Sequence, residues 1–371
     1  MKKAIVMTLC AAMAVGMIGS VSTVYAADAD IASDDAIKKA ADEGWEIAVV
    51  PKDSTNPWFV RMDTGVKEVA DETGVNCYQI DTGTIDATKQ AQLVEDLIAQ
   101  GVDAICVVPV DMESMDSTLK KAKDAGIVVI THEGADLKNV DYDIEAFSNE
   151  GYGAFIMQNL AEAMGEEGVY TTMVASLTNG SHNEWADAAV EYQKEHYPNM
   201  TLLEDNPRVE SDDNGDTAYN VAKELIKTYP DLKGIFSAND TMALGAVEAL
   251  KNAGKNGEIK VSGCDGIEAA LNAVKDGDLV ITNANDGYCI AGYGASYAIQ
   301  AALGSLDVEG MDPAERLIFC KTTLVTNDNV DDIISKFIET QDPGYDYSDL
   351  SFCIDKYQED SAADEATDAA E

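Results

Sequence analysis

The chain has 371 residues with a formal net charge of −43, carried by 68 acidic against 25 basic side chains. Such a surface repels nucleic acid and anionic lipid, which are bound by basic patches. With 46% of its residues apolar, the chain has the composition of a folded protein with an acidic skin rather than of a disordered acidic polymer.

Lys2 and Lys3 lead into an apolar run from Ala4 to Val24 that closes on Val24-Tyr25-Ala26. A basic start, an apolar centre and small residues at the cut are the layout of a signal peptide over residues 1–26. A transmembrane anchor is the competing interpretation. The many Ala, Gly, Ser and Thr residues of the run and the acidic sequence after it favour cleavage. Lipid attachment at Cys10 is a third, with Leu9 a poor neighbour for it. Residues 27–44 form a polar, alanine-rich leader containing a short helix.

From Trp45 the pattern becomes regular. Apolar strands are expected at 46–50, 76–80, 104–108 and 127–131, most followed by an amphipathic helix. The helix over 88–100 shows Ala91, Leu93, Val94, Leu97 and Ile98 at helical spacing. Short apolar strands alternating with helices predict a parallel sheet covered on both faces. A different connection follows at 141–147. The rhythm then restarts, with strands at 168–175, 201–204, 234–237, 259–263 and 280–282 and helices near 183–196, 217–228, 242–253 and 267–275. A helix near 288–303 and a last strand at 317–324 complete the ordered part. The acidic end, with Asp360, Asp364, Glu365, Asp368 and Glu371 and no base among them, forms a disordered tail.

The fold class is therefore α/β, as two doubly wound lobes of similar length. Ligands of such sheets sit beyond the carboxyl ends of the strands, which makes the strand-end residues the candidates. The first strand runs into Lys52, Asn56, Pro57, Trp58 and Phe59, aromatics flanked by an amide and an ammonium that suit a polar ligand with an apolar face. Pro57 as a helix start and Trp58 packed on its own helix are the plain structural alternative. The fourth strand ends in Thr131-His132-Glu133-Gly134, which fits hydroxyl binding. In the second half, Ser181-His182-Asn183-Glu184-Trp185, Asn239-Asp240, Cys264-Asp265 and Asn285 follow successive strands. Each Asn or Asp alone would be only a helix cap, worth ~1 kcal/mol; together they make a ring of partners for a sugar's hydroxyls.

Other chemistries find no support. Glu210 to Gly215 imitates the first half of a calcium loop, but Val221 stands where the bidentate Glu is needed. Asp216 is expected to cap a helix instead. No GxGxxG, GKS or GKT run and no GxSxG elbow occurs, so neither metal nor cofactor nor catalytic residue is expected. Beyond Cys10, six cysteines remain. Cys77, Cys106, Cys264 and Cys320 lie in or beside strand-like runs as small buried hydrophobes, which leaves at most one disulfide.

With Asn56-Pro57-Trp58-Phe59, the stretch from Phe236 to Gly245, and Gly263-Cys264-Asp265-Gly266, the chain resembles the exported solute-binding proteins of bacterial sugar-type ABC transporters. These are relatives of ribose-binding protein and of the receptor domain of lactose-repressor-like regulators. The resemblance covers about residues 45–340. It implies that Asn56, Trp58, Phe59, Asn239 and Asp265 contact a sugar, that Asn285 contributes an amide, and that His132 and Glu133 stand where a carboxylate is usual. It also implies a non-catalytic, monomeric receptor whose two lobes close over the ligand and dock on a membrane permease. Three crossovers, near Phe147, Asn285 and Leu324, would make both lobes discontinuous. The first would hold 45–147 plus 286–323 and the second 148–285 plus 324–340, with 341–371 as an extension. A narrower resemblance, on Ile47 to Lys52, Asn183-Glu184-Trp185 and Tyr229 to Leu232, is to receptors for rhamnose or autoinducer-2. Lys52 matches a ligand-contacting lysine there, whereas Ser181-His182, Ala238 and Glu133 depart from the pattern. Trp58, Phe59 and Trp185 would sandwich the ring, Lys52, His132, His182 and Asp240 joining the polar contacts. An exported enzyme using His132 and Glu133 is the rival of another class.

Overall fold

The computed structural model describes residues 34–134, 137–145, 149–285, 317–319 and 322–335. The proposed signal peptide, part of the leader, the helix near 288–303 and the C-terminal extension lie outside the described residues, as do Cys289, Cys320 and Cys353.

After a first helix α1 (Asp34–Glu43), the chain builds β1 (Glu46–Val50), α2 (Pro57–Thr73), β2 (Asn76–Gln79), α3 (Ala87–Gln100), β3 (Ala104–Val107), α4 (Met112–Asp124), β4 (Val128–Thr131) and β5 (Tyr142–Glu145). Local chemistry explains the helix starts. Asn56, Asp86 and Asp111 each accept a backbone N–H of the first turn, and Pro57 occupies the first helical position, where its missing donor is not needed. Successive residues of β1 enter opposite cores: Ile47 and Val49 pack on one face of the sheet, Ala48 and Val50 on the other. A strand buried on both faces must be apolar throughout, the pattern visible in the sequence.

The second half contributes α5 (Asn149–Met164), β6 (Gly168–Val174), α6 (Gly180–His196), β7 (Met200–Leu202), β8 (Arg208–Glu210), α7 (Gly215–Thr228), β9 (Leu232–Ser237), α8 (Asp240–Ala253), β10 (Lys260–Val261) and α9 (Glu268–Lys275). Then come β11 (Thr282–Asn285), β12 (Leu317–Phe319), β13 (Thr322–Val325) and α10 (Val330–Ile334).

Two parallel sheets result. The first has the order β12-β5-β4-β3-β1-β2; the second has β10-β9-β6-β7, with β8 also paired to β6. In each, the strand order reverses beside a central strand, β1 in the first and β6 in the second. The crevice for a ligand opens at such a reversal. A two-stranded antiparallel ribbon, β11 with β13, pairs Thr282 with Val325 and Asn285 with Thr322.

Several expectations are corrected. The single strand expected at 317–324 is two: Leu317–Phe319 extends the first sheet beside β5, while Thr322–Val325 belongs to the ribbon. The helix α5 was not anticipated. Its buried face, Tyr152, Ile156, Met157, Leu160 and Met164, begins among Gly151 and Gly153, and glycine is a poor helix former. The strand β8 is only three residues long and escapes a periodicity argument. Asn214, not Asp216, caps α7 by accepting Thr217 N–H at 2.9 Å. Cys77, Cys106 and Cys264 are free and buried.

Two glycines set how closely the second lobe's helices approach. A Cβ on Gly153 would lie 2.3 Å from the Trp185 carbonyl oxygen, and one on Gly245 would lie 2.2 Å from that of Gly215. Glycine to alanine within an unobstructed helix normally stabilises by roughly 0.5–1 kcal/mol. Here the sign reverses: Gly153→Ala forces α5 and α6 apart, with an overpacking cost of about 1–3 kcal/mol. A lowered urea midpoint at unchanged slope is the expected result.

Candidate functional site

Lys52 follows β1 at the first reversal point. It is only 5% exposed, and its ammonium pairs with the Glu133 carboxylate just beyond β4. The backbone carrying Lys52 is braced by the buried Gln90 amide. That amide donates to the carbonyls of Pro51 at 3.1 Å and Val108 at 2.8 Å, and accepts from Val110 N–H at 2.9 Å. Burial works against a charged lysine, but Glu133, Asp213 and Asp265 outweigh it and hold the Lys52 pKa above its ordinary value. For Glu133 burial again opposes the charge, and Lys52, then His132 and His182, overcome it, leaving its pKa at about 2.

Two histidines flank this pair. Burial lowers the pKa of each, so each is held toward neutrality. The His132 Nδ1 lies 2.6 Å from the Ile144 carbonyl, which only accepts, so Nδ1 carries the proton and Nε2 is left as an acceptor. This Nε2 is 3.8 Å from Glu133 Oε1. His182 is the complement. Its Nδ1 accepts Ala175 N–H at 3.2 Å, so a neutral ring carries its proton on Nε2. One ring thus supplies an acceptor and the other a donor.

The aromatics brace these rings. Trp58 stacks on His132 with centroids 5.2 Å apart and meets Phe59 edge-on at 5.0 Å. Trp185 contacts His182 at 5.2 Å and Tyr152 at 5.3 Å, and its Nε1–H donates to Asn149 Oδ1 at 2.5 Å. Trp58, Phe59 and Trp185 are all buried.

Asn56 and Asn239 each have two roles available. Asn56 Oδ1 accepts Trp58 N–H and Asn239 Oδ1 accepts Met242 N–H, both at 2.9 Å, so both cap helices. Asn239 also donates through Nδ2 to Asp213 Oδ1. Asp265 is pushed well above the usual carboxylate range by burial, then by Asp240, Asp213 and Glu133, with Arg61 opposing. Asp240, by contrast, is placed inside the lobe. It is fully buried and accepts from Thr282 Oγ1 at 2.7 and 2.9 Å and from Ile267 N–H at 3.0 Å. Burial pushes its pKa up to about 7 despite those bonds. Asn285 closes β11, and its side chain lies outside the described part.

Glu133, Asp213 and Asp265 all have positive φ, at 56°, 55° and 118°. Non-glycine residues so held cost of order 1–3 kcal/mol each and cluster at functional positions. Here all three bring carboxylates into the field of one another. Of the three, Asp213 lines a cavity of about 500 Å³, together with Asp53, Asn56 and Thr84 from the first lobe and Asn214 and Thr241 from the second. Sequence patterns missed Asp213, Arg61 and Asn149. Asp213 follows the unanticipated β8, and its only local signal was the acidic turn compared with a calcium loop.

Residues 47–306 match the periplasmic binding protein domain family. The chain is 31% identical over 252 residues to a D-ribose/D-allose-binding protein of Pseudomonas aeruginosa, covering 64% of this chain and 75% of that one. It is 34% identical over 253 residues to a xylitol-binding protein of Mycolicibacterium smegmatis, covering 66% and 67%. An ABC transporter solute-binding protein from Agrobacterium vitis, solved with bound α-D-tagatopyranose, superposes with a TM-score of 0.71 at 25% identity, covering 79% of this chain and 99% of that one. One from Actinobacillus succinogenes, with bound D-allose, gives 0.64 at 26% identity, covering 78% and 99%. The matched span, the two parallel-sheet lobes and the cleft between them agree: the chain belongs to the periplasmic binding protein domain family, as a type I sugar-binding member.

Proposed function

We propose that this protein captures a neutral monosaccharide or sugar-like polyol outside the membrane and delivers it to an ABC permease for import. The carrying observation is the polar pattern of the cleft. A lysine is matched to a carboxylate, two neutral histidines offer one acceptor and one donor, and Asp213 and Asp265 add acceptors. Hydroxyl groups both donate and accept, so a polyol answers such a mixed wall. With Lys52 already committed to Glu133, no unpaired ammonium is offered there to a phosphate or carboxylate on the ligand, and burial, which pushes Asp265 toward its uncharged form, disfavours a second anion in the same place. The ribose-, allose- and xylitol-binding relatives support the same class.

The apolar run after Lys2 and Lys3 supports export, with action in the periplasm or at the outer face of the cell membrane. Among the described residues no helix is long and apolar enough to cross a membrane. A monomer that binds no nucleic acid fits the acidic surface. We assign the lobes to 45–147 plus 286–323 and 148–285 plus 324–340, an arrangement supported by the placement of β12 beside β5 and by contacts of α10 with α9. Catalysis is disfavoured, because a carboxylate held at about pKa 2 is a weak general base at neutral pH. The comparisons lend autoinducer-2 no support, and Ser181-His182, Ala238 and Glu133 depart from the pattern of that subgroup.

A thermal-shift screen of the ligand-stripped protein tests the proposal. D-ribose, D-allose, D-tagatose, xylitol and related neutral compounds are the panel, with ribose 5-phosphate and glucuronate as anionic controls. A ligand at 100 times its Kd adds about 2.7 kcal/mol to apparent stability. A shift with a neutral compound and none with the anions is expected; silence across the neutral panel in folded, emptied protein would overturn the sugar assignment.

The ion pair predicts a pH signature. Because the folded-state pKa of Glu133 is about 2, below its ordinary 4.5, its stabilisation is complete above pH 4.5 and lost as the pH falls through about 2. Glu133→Gln leaves Lys52 buried without its counter-charge and should cost about 3–5 kcal/mol at neutral pH. Denaturant titrations from pH 7 to 2 should show the wild-type advantage shrinking across the acidic end.

A further inference from the structure

The chain has three arginines, Arg61, Arg208 and Arg316, against 68 acidic residues. Arg61, on α2 of the first lobe, reaches across the cleft. Its Nη2 donates to the Asp265 carbonyl at 3.1 Å and its Nη1 to the Gly266 carbonyl at 3.5 Å. With many carboxylates available, this guanidinium spans two consecutive main-chain oxygens of the second lobe. Both residues have left-handed backbone, with φ of 118° at Asp265 and 69° at Gly266.

The turn is gripped from its other side as well. Asp265 N–H donates to Asn283 Oδ1 at 2.8 Å, Gly266 N–H to Thr282 Oγ1 at 3.1 Å, and Ile267 N–H to Asp240 at 3.0 Å. Thr282 and Asn283 belong to β11 of the antiparallel ribbon. The turn is therefore held between a helix of the first lobe and the ribbon, and the residue so held faces the ligand cluster. A second seam meets on α6: a Cβ on Gly180 would contact the Met112 side chain at 3.6 Å.

We propose that Arg61 is a positioning residue that latches the two lobes together and fixes the strained Asp265–Gly266 turn in its ligand-facing conformation. This deepens the solute-capture function by naming the group that couples closure to one cleft carboxylate. The bonds run from one lobe to the main chain of the other, so separation of the lobes breaks both. A guanidinium suits the task because its planar fork reaches two acceptors, whereas an ammonium is a point charge. Main-chain acceptors also leave the Asp265 carboxylate free for the ligand. A closing contact of this kind shifts the population toward the closed form by its interaction energy in that form alone.

Small-angle X-ray scattering of the full ligand-stripped protein tests the proposal, with Arg61→Ala, Arg61→Lys and wild type at equal concentration and thermal melts as folding controls. The expected result is a larger radius of gyration for Arg61→Ala, a smaller increase for Arg61→Lys, and an intact thermal transition in both. Scattering of Arg61→Ala superimposable on wild type would overturn the latch. If Arg61→Ala lost its thermal transition, Arg61→Lys would decide: expansion supports the latch and unchanged scattering overturns it. No sugar is added, so this outcome stands apart from that of the thermal-shift panel.

Discussion

The buried ion pair between Lys52 and Glu133 is the interaction on which the cleft depends. Either charge alone at that depth would be expelled or neutralised, since burial opposes both. Together they remain charged, and their field organises the rest. Lys52 draws Asp213 and Asp265 into its influence, and Glu133 is held ionised beside two histidines that burial keeps neutral. Gln90 ties the strand ends beneath together, which fixes the backbone from which Lys52 reaches Glu133. The result is a wall of mixed polarity in which the Lys52 ammonium is fixed by its carboxylate partner.

Strain and satisfaction are divided between different residues. Glu133, Asp213 and Asp265 occupy costly backbone conformations, whereas Asn56, Asn239 and Asp240 make the bonds that hold neighbouring helices and turns. Asp240 shows the division clearly. It stands next to a candidate ligand residue, yet its oxygens are turned inward to Thr282 and Ile267. An acid at a strand end can therefore serve the scaffold while its neighbour serves the cleft.

Much of this was legible in the amino-acid pattern because it is local. Apolar runs of four or five residues revealed β1, β3 and β4, and an Asn or Asp at a helix start marked several caps. What escaped was decided at a distance. Helix α5 is buried on more than one side and begins among glycines, so its period is blurred. The split of 317–324 between β12 and β13 depends on which distant strands are available as partners. Arg61 escaped because its acceptors are main-chain atoms some two hundred positions away. The tautomers of His132 and His182 depend on the Ile144 carbonyl and the Ala175 amide, which no motif records. Motif resemblance named both acids as candidates; only packing separated Asp240, turned inward to Thr282, from Asp265.

The pairing of β12 with β5 has a consequence for how the chain is made. As the protein is synthesised, β1 to β5 can assemble early, but the strand that covers the outer side of β5 arrives only after the entire second sheet has been produced. Until then β5 presents an open row of backbone donors and acceptors, a template for pairing with another chain. Closing so long a loop is tolerable at equilibrium, since its entropy grows only slowly with length. The hazard is one of timing: the nascent first lobe waits, with an uncovered edge, for the far end of its own sequence.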